Sequence, residues 1–116
     1  MARDTSLDLL QGTLDVLILR TLAWAPMHGF GIARWLRERT DGAIVVENAA
    51  LYQALHRLER KKHVRADWGV SDNNRRAKYY ELTALGRRQL TTGTESFRSY
   101  AAAVLKVLAP SEASHA

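Results

Sequence analysis

The chain has 116 residues, which suits one domain with a single modest core. Its 17 Lys+Arg against 12 Asp+Glu leave a formal charge of +5 and a pI near 10.0, a balance that favours polyanionic partners. The absence of cysteine excludes disulfides, thiolate nucleophiles and Cys-ligated zinc.

The opening MARDTSLDLLQG carries two acidic residues and lacks the apolar stretch of a signal peptide. The most apolar segment, LDVLILRTLAWAP, is interrupted by Asp15 and Arg20 and is too short to span a bilayer. A soluble cytoplasmic protein is expected. From Leu10 the apolar positions run Leu10, Leu14, Leu17, Ile18 and Leu22, the spacing of a helix with one buried face. Pro26 and Gly29 end that helix and begin another turn. Ile32, Trp35 and Leu36 form the stripe of a second helix, with Arg34, Arg37 and Arg39 largely off it, and Asp41-Gly42 ends it. AIVV, residues 43–46, reads as one short strand, and Asn48 as the N-cap of a third helix.

In that third helix Leu51, Ala54, Leu55 and Leu58 anchor one face at i, i+3, i+4 and i+7. The opposite face repeats the spacing in polar residues: Gln53, His56, Arg57 and Arg60. Val64, Ala66, Trp68 and Val70 then alternate with Arg65 and Asp67, and Tyr80 and Leu82 continue the apolar face on a return run. Between the two runs lies the polar stretch SDNNRRA, so this is a β-hairpin with a cationic tip. Thr83 caps a last helix in which Leu90, Phe97 and Val104 recur every seven residues, with Ala101 and Leu108 four beyond the latter two and Tyr100 widening the stripe. Pro110 ends it, and the last residues read as a frayed tail.

The charge is concentrated in this middle region. From Arg57 to Arg88, ten Lys/Arg stand against four Asp/Glu, whereas the N-terminal third is close to neutral. The fold class expected is mainly α with a small β-hairpin: a winged helix-turn-helix over residues 7–83, a C-terminal dimerisation helix over 84–109 and a disordered tail over 110–116. An exposed polar helix can enter the DNA major groove, where Gln pairs with adenine and Arg with guanine. A cationic hairpin beside it can lie on the flanking backbone or reach the minor groove. The candidate DNA-binding residues are therefore Tyr52, Gln53, His56, Arg57 and Arg60 on the helix, and Asn73, Asn74, Arg75, Arg76 and Lys78 on the hairpin. Trp68, Tyr79 and Tyr80 are expected to stiffen the hairpin's base.

Three stretches carry a resemblance to a known family: LLQGTLDVLILRTLAWAPMHGFGIA, LYQALHRLE and ADWGVSDNNRRAKYYELTALGR, together spanning roughly residues 7 to 90. The chain resembles the PadR-like transcriptional regulators, in their short form with a single C-terminal helix. The resemblance implies a homodimeric winged-helix repressor that binds an inverted-repeat operator in double-stranded DNA. It also implies that the last helix packs on the partner subunit, through Leu90, Phe97, Tyr100, Ala101, Val104 and Leu108. Relatives often respond to small aromatic molecules, so Phe97, Tyr100 and Trp24 are candidates to line an effector pocket, against a plain packed seam. The family usually has Gly-Ser/Thr before Leu-Tyr, where this chain has Ala49-Ala50. Gln53 replaces a usual proline, and Lys61-Lys62-His63 replaces a segment with a helix-ending glycine. These departures imply an altered operator preference.

Other chemistries have less to stand on. His56, Glu59 and His63 share a helical face at i, i+3 and i+7, but zinc needs a further oriented ligand or an open water site. Glu59 is expected to pair with a neighbouring arginine, and His28 to mark a helix start near phosphate. There is no candidate triad and no glycine-rich phosphate loop after a strand, so no catalytic residue, metal or cofactor is expected. The same basic face would also suit an RNA- or ribosome-associated winged-helix module, or an adaptor for an acidic protein; a dimer with a palindromic site separates the first reading from these.

Overall fold

The computed structural model describes residues 11–110. Seven elements follow in chain order: α1 (Gln11–Trp24), β1 (Met27–His28), α2 (Gly29–Arg39), α3 (Asn48–Arg60), β2 (Val64–Val70), β3 (Arg76–Leu82) and α4 (Ala84–Leu108). This is the winged-helix arrangement expected from the periodicities. Leu10, residues 7–9 of the DNA-binding unit and residues 111–116 of the tail lie outside the described residues.

One core holds the helices together. Ile18, Leu19, Ile32, Leu51, Leu55, Leu58 and Val64 are fully buried, with Leu14, Leu22, Leu36, Tyr80 and Leu82 around them. Each of α1, α2 and α3 contributes a stripe at helical spacing, and the strands close the end through their inward-facing residues. Thr21 is buried among the apolar side chains, with its hydroxyl donating to the Leu17 carbonyl at 2.9 Å.

Two local expectations are corrected. AIVV forms no strand: the third strand of the sheet is instead Met27–His28, which pairs antiparallel with β3 through Met27–Tyr80 and His28–Tyr79. The sheet order is β1-β3-β2, so β3 is central. Two residues directly ahead of α2 reach its free edge, while AIVV leaves α2 through a turn and uses Val46 to cover the core. Likewise Asn48 is the first residue of α3 rather than its cap. Glu47 holds the extended N-cap position, without a side-chain cap hydrogen bond.

Helices α2 and α3 end alike. Past Arg39, the amide of Asp41 donates to the Glu38 carbonyl and that of Gly42 to the Arg37 carbonyl. Past Arg60, the amide of Lys62 donates to Glu59 and that of His63 to Leu58. Both are Schellman turns, and the residue that must turn left-handed is Asp41 (φ 52°) in one and Lys62 (φ 64°) in the other. Lys62 thus takes the conformation that a glycine adopts without strain.

Candidate nucleic-acid interface

The exposed face of α3 carries Tyr52, Gln53, His56 and Arg60, lining a shallow depression of about 590 Å³ with Ala49 and Arg57. The opposite face, Leu51, Ala54, Leu55 and Leu58, is buried, which fixes the roll of the helix and turns the polar stripe outward. The fourth expected member of that stripe is held differently. Arg57 reaches back to α1, where its Nη2 lies 2.8 Å from Asp15 Oδ1, with only 19% and 14% of the two side chains exposed. Their spacing of 42 residues explains why no local pattern signals this pair.

The β2–β3 hairpin forms the wing. Its turn is closed by hydrogen bonds from the Ser71 amide to the Arg75 carbonyl and from the Asn74 amide to the Ser71 carbonyl, both 2.8 Å. Asn74 takes a left-handed conformation (φ 59°), one that asparagine tolerates well. Asn73, Asn74, Arg75 and Arg76 are all exposed at or beside this tip. Lys78 lies two residues along β3 from the tip-side pair, opposite Trp68, and its Nζ stands 3.5 Å from Glu59 Oε1 and 5.7 Å from the Tyr80 ring centre. Glu59 therefore pairs with a wing lysine, not with an arginine. This ties the wing to α3.

The aromatics divide their work. Tyr80 is buried in the core, and that burial, followed by the Glu59 carboxylate and Tyr52, holds its phenol above the usual pKa. The Tyr79 hydroxyl donates to the Val70 carbonyl at 3.1 Å and pins the two strands together. Trp68 does not join the core: it is 56% exposed, and its contact is across the strands, where the Arg76 guanidinium lies 4.4 Å from its ring centre. This places a charge over an aromatic face on the outer part of the wing.

A second, larger groove of about 720 Å³ runs between the wing and the start of α2. Tyr52 lines both depressions, so the α3 face and the wing groove adjoin at this side chain. The phenol of Tyr52 lies directly over Gly29, and a Cβ there would collide with it. His28 starts α2 as an N-cap, with Nδ1 accepting from the Gly31 amide at 2.9 Å. No group of three or more His, Cys, Asp or Glu among the described residues could hold a metal ion.

Of the residues expected on the last helix, Leu90 packs against the core of its own chain. Ala101 and Val104 are half-buried, while Phe97, Tyr100 and Leu108 are exposed. Trp24, at the end of α1, is also exposed. No helix among the described residues is long and apolar enough to cross a membrane.

Comparison with known proteins agrees with this architecture. A protein of Lysinibacillus sphaericus with no assigned function is 36% identical over 85 residues, covering 72% of this chain and 77% of its own. A transcriptional regulator of Clostridium thermocellum superposes with a TM-score of 0.77 at 26% identity, covering 85% of this chain and 96% of that one. A PadR family transcriptional regulator of Eggerthella lenta does so at 0.73 and 28% identity, covering 90% and 89%. Residues 18–92 match the model of the transcriptional regulator PadR-like family, whose members are DNA-binding regulators rather than enzymes. The chain belongs to the PadR-like family of transcriptional regulators.

Proposed function

We propose that this regulator is a cytoplasmic, homodimeric repressor that binds an inverted-repeat operator. In this reading α3 lies in the major groove and the wing on the flanking backbone or minor groove. The observation that carries it is that the polar face of α3 and the cationic wing adjoin at Tyr52. Gln53 is the candidate base reader, with bidentate pairing to adenine, while His56 and Arg60 extend the contact along the helix. Arg75 and Arg76, with Asn73 and Asn74, supply the phosphate contacts of the wing. Arg57 and Lys78 contribute positive potential while being held by Asp15 and Glu59.

Dimerisation assigns a purpose to the outer part of α4. Its exposed Phe97, Tyr100, Leu105, Val107 and Leu108 would be covered by the same helix of a second subunit, with Ala101 and Val104 between them. An aromatic effector at Phe97, Tyr100 and Trp24 would then sit at or near that interface.

Selection from a random duplex library, followed by titration of the enriched site at two salt concentrations, tests the reading. An inverted repeat with half-sites about 34 Å apart is the expected outcome. Steeply salt-dependent binding without sequence preference would instead favour an architectural or RNA-associated role. Gln53→Ala should change preference at one base step, whereas Arg75→Ala/Arg76→Ala should weaken all sequences alike and lower the salt slope by about 2.

A further inference from the structure

The groove between the wing and α2 contains a cation, Arg34, that neither the α3 stripe nor the wing accounts for. Its α2 wall carries Arg34, whose guanidinium lies 5.9 Å from the ring centre of Phe30. Its wing wall carries Arg76 over Trp68 at 4.4 Å. Both walls thus set an arginine beside an exposed aromatic ring, closely at Trp68 and at the outer limit of contact at Phe30. Phe30 is 66% exposed, so packing does not explain its place there.

An arginine held over a ring keeps its N–H groups available while losing much of its rotamer freedom. Less ordering is then left to do when an anion arrives. Arg34, Arg75, Arg76 and Lys78 line the groove against two carboxylates, Glu38 and Asp72, so its balance is positive. The groove is also charged on both sides. A small apolar ligand would find few apolar partners among these charges, whereas a strand of sugar and phosphate would find charge complementarity beside the α3 face.

We propose that this groove seats one phosphodiester strand of the duplex between Arg34 on α2 and Arg76 on the wing, with Phe30 and Trp68 as positioning residues. The inference rests on the DNA-binding reading above and adds α2 to it as a second wall. Glu38 is the competing partner: its carboxylate lies 3.9 Å from Arg34 Nε, and Arg34 must exchange that contact for phosphate. The exchange loses little, because both side chains are more than half exposed.

The experiment is titration of the selected duplex, from roughly 50 to 300 mM KCl, with the full chain and with Arg34→Ala, Arg34→Gln, Arg76→Ala, Glu38→Gln and Phe30→Leu. Both Arg34 variants should bind about three- to tenfold more weakly and lower the salt slope by about 1, with the preferred sequence unchanged. Arg34→Gln keeps a helix-compatible side chain, so agreement between the two excludes a folding artefact. Glu38→Gln should bind more tightly, and Phe30→Leu should weaken binding by freeing the Arg34 side chain. Hydroxyl-radical footprints should lose protection at phosphates between the major-groove and wing contacts when Arg34 is replaced. If Arg34→Ala and Arg34→Gln match the parent in affinity and slope while Arg76→Ala does not, the second wall is overturned and the wing reading stands. If none of the three changes the slope, the DNA-binding assignment of the wing falls with it.

Discussion

The two halves of α4 are one continuous helix, yet they meet opposite surroundings. The first half is fastened to the body. Thr83 caps it by accepting from the Gly86 amide at 3.0 Å, and the same hydroxyl donates to the Lys62 carbonyl at 2.7 Å. Gly86 is buried against the His63 carbonyl, and Gly93 lets the helix approach Val16 of α1. The second half carries Phe97, Tyr100, Leu105, Val107 and Leu108 outward, with Val107 83% exposed. Around the last two turns only Lys106 is polar between Tyr100 and Leu108. Helical sequences that are apolar on nearly all sides are normally buried. The difference teaches that glycines and a cap fix the direction of α4, whereas its outer apolar side chains stay exposed among the described residues, on the surface that the proposed dimer would cover.

The sharpest way to break this contrast is at the root. Gly86→Ala would place a Cβ against the backbone carbonyl of His63, which cannot move without disturbing the α3–β2 junction. A loss of about 3 kcal/mol is expected in urea unfolding. The outer half should respond in a different observable. Phe97→Ser/Val104→Ser should leave the far-ultraviolet circular dichroism of the body intact. The same change should weaken self-association by about 2 kcal/mol, roughly thirtyfold in sedimentation equilibrium. Retained dimerisation would assign the interface elsewhere.

What was legible in the sequence follows the same division between local and distant causes. Helical stripes such as Leu51, Ala54, Leu55 and Leu58 and the strand alternation from Val64 are set by backbone period, so they could be read directly. The cap at Thr83 and the breaks at Pro26 and Asp41-Gly42 were equally local. AIVV misled because β-propensity describes a fit to a neighbouring strand, and the vacant edge of β3 had gone to Met27–His28. The polar stripe of α3 was visible, but the recruitment of Arg57 by Asp15 and of Lys78 by Glu59 depended on contacts across the fold. Trp68 illustrates the limit. Alternation put it on the apolar face of β2, yet that face outruns the core at this point, and an arginine covers the ring instead of a neighbouring helix.

A smaller effect tests the root from the α3 side. Lys62 holds a left-handed conformation at the end of α3, and its carbonyl accepts from the Thr83 hydroxyl. Lys62→Gly should stabilise the chain by about 1 kcal/mol, since the steric cost of the left-handed lysine is removed and only part of it returns as entropy of the unfolded glycine. Self-association should be unchanged if root and outer half are independent. A concurrent gain in dimer affinity would mean that the angle of α4 is still adjustable.

The smallest effect concerns His63, which lies at this same junction. Its Nδ1 is buried without a hydrogen-bond partner among the described residues. Burial first, and the Lys61 ammonium second, hold its pKa below the ordinary 6.5, against an opposing pull from Asp15. The folded chain therefore binds this proton less readily than the unfolded chain. Well above pH 6.5 both forms are neutral and stability does not depend on this group. As pH falls through 6.5 toward the folded value, the unfolded state takes up the proton first and stability declines, levelling off once both are charged. Urea midpoints at about pH 7.5 and about pH 5.5 should differ more in the parent than in His63→Gln, because the other titrating groups are common to both. An equal difference would mean that the junction opens enough to hydrate the ring, and α4 would then be less firmly rooted than its cap and glycines imply.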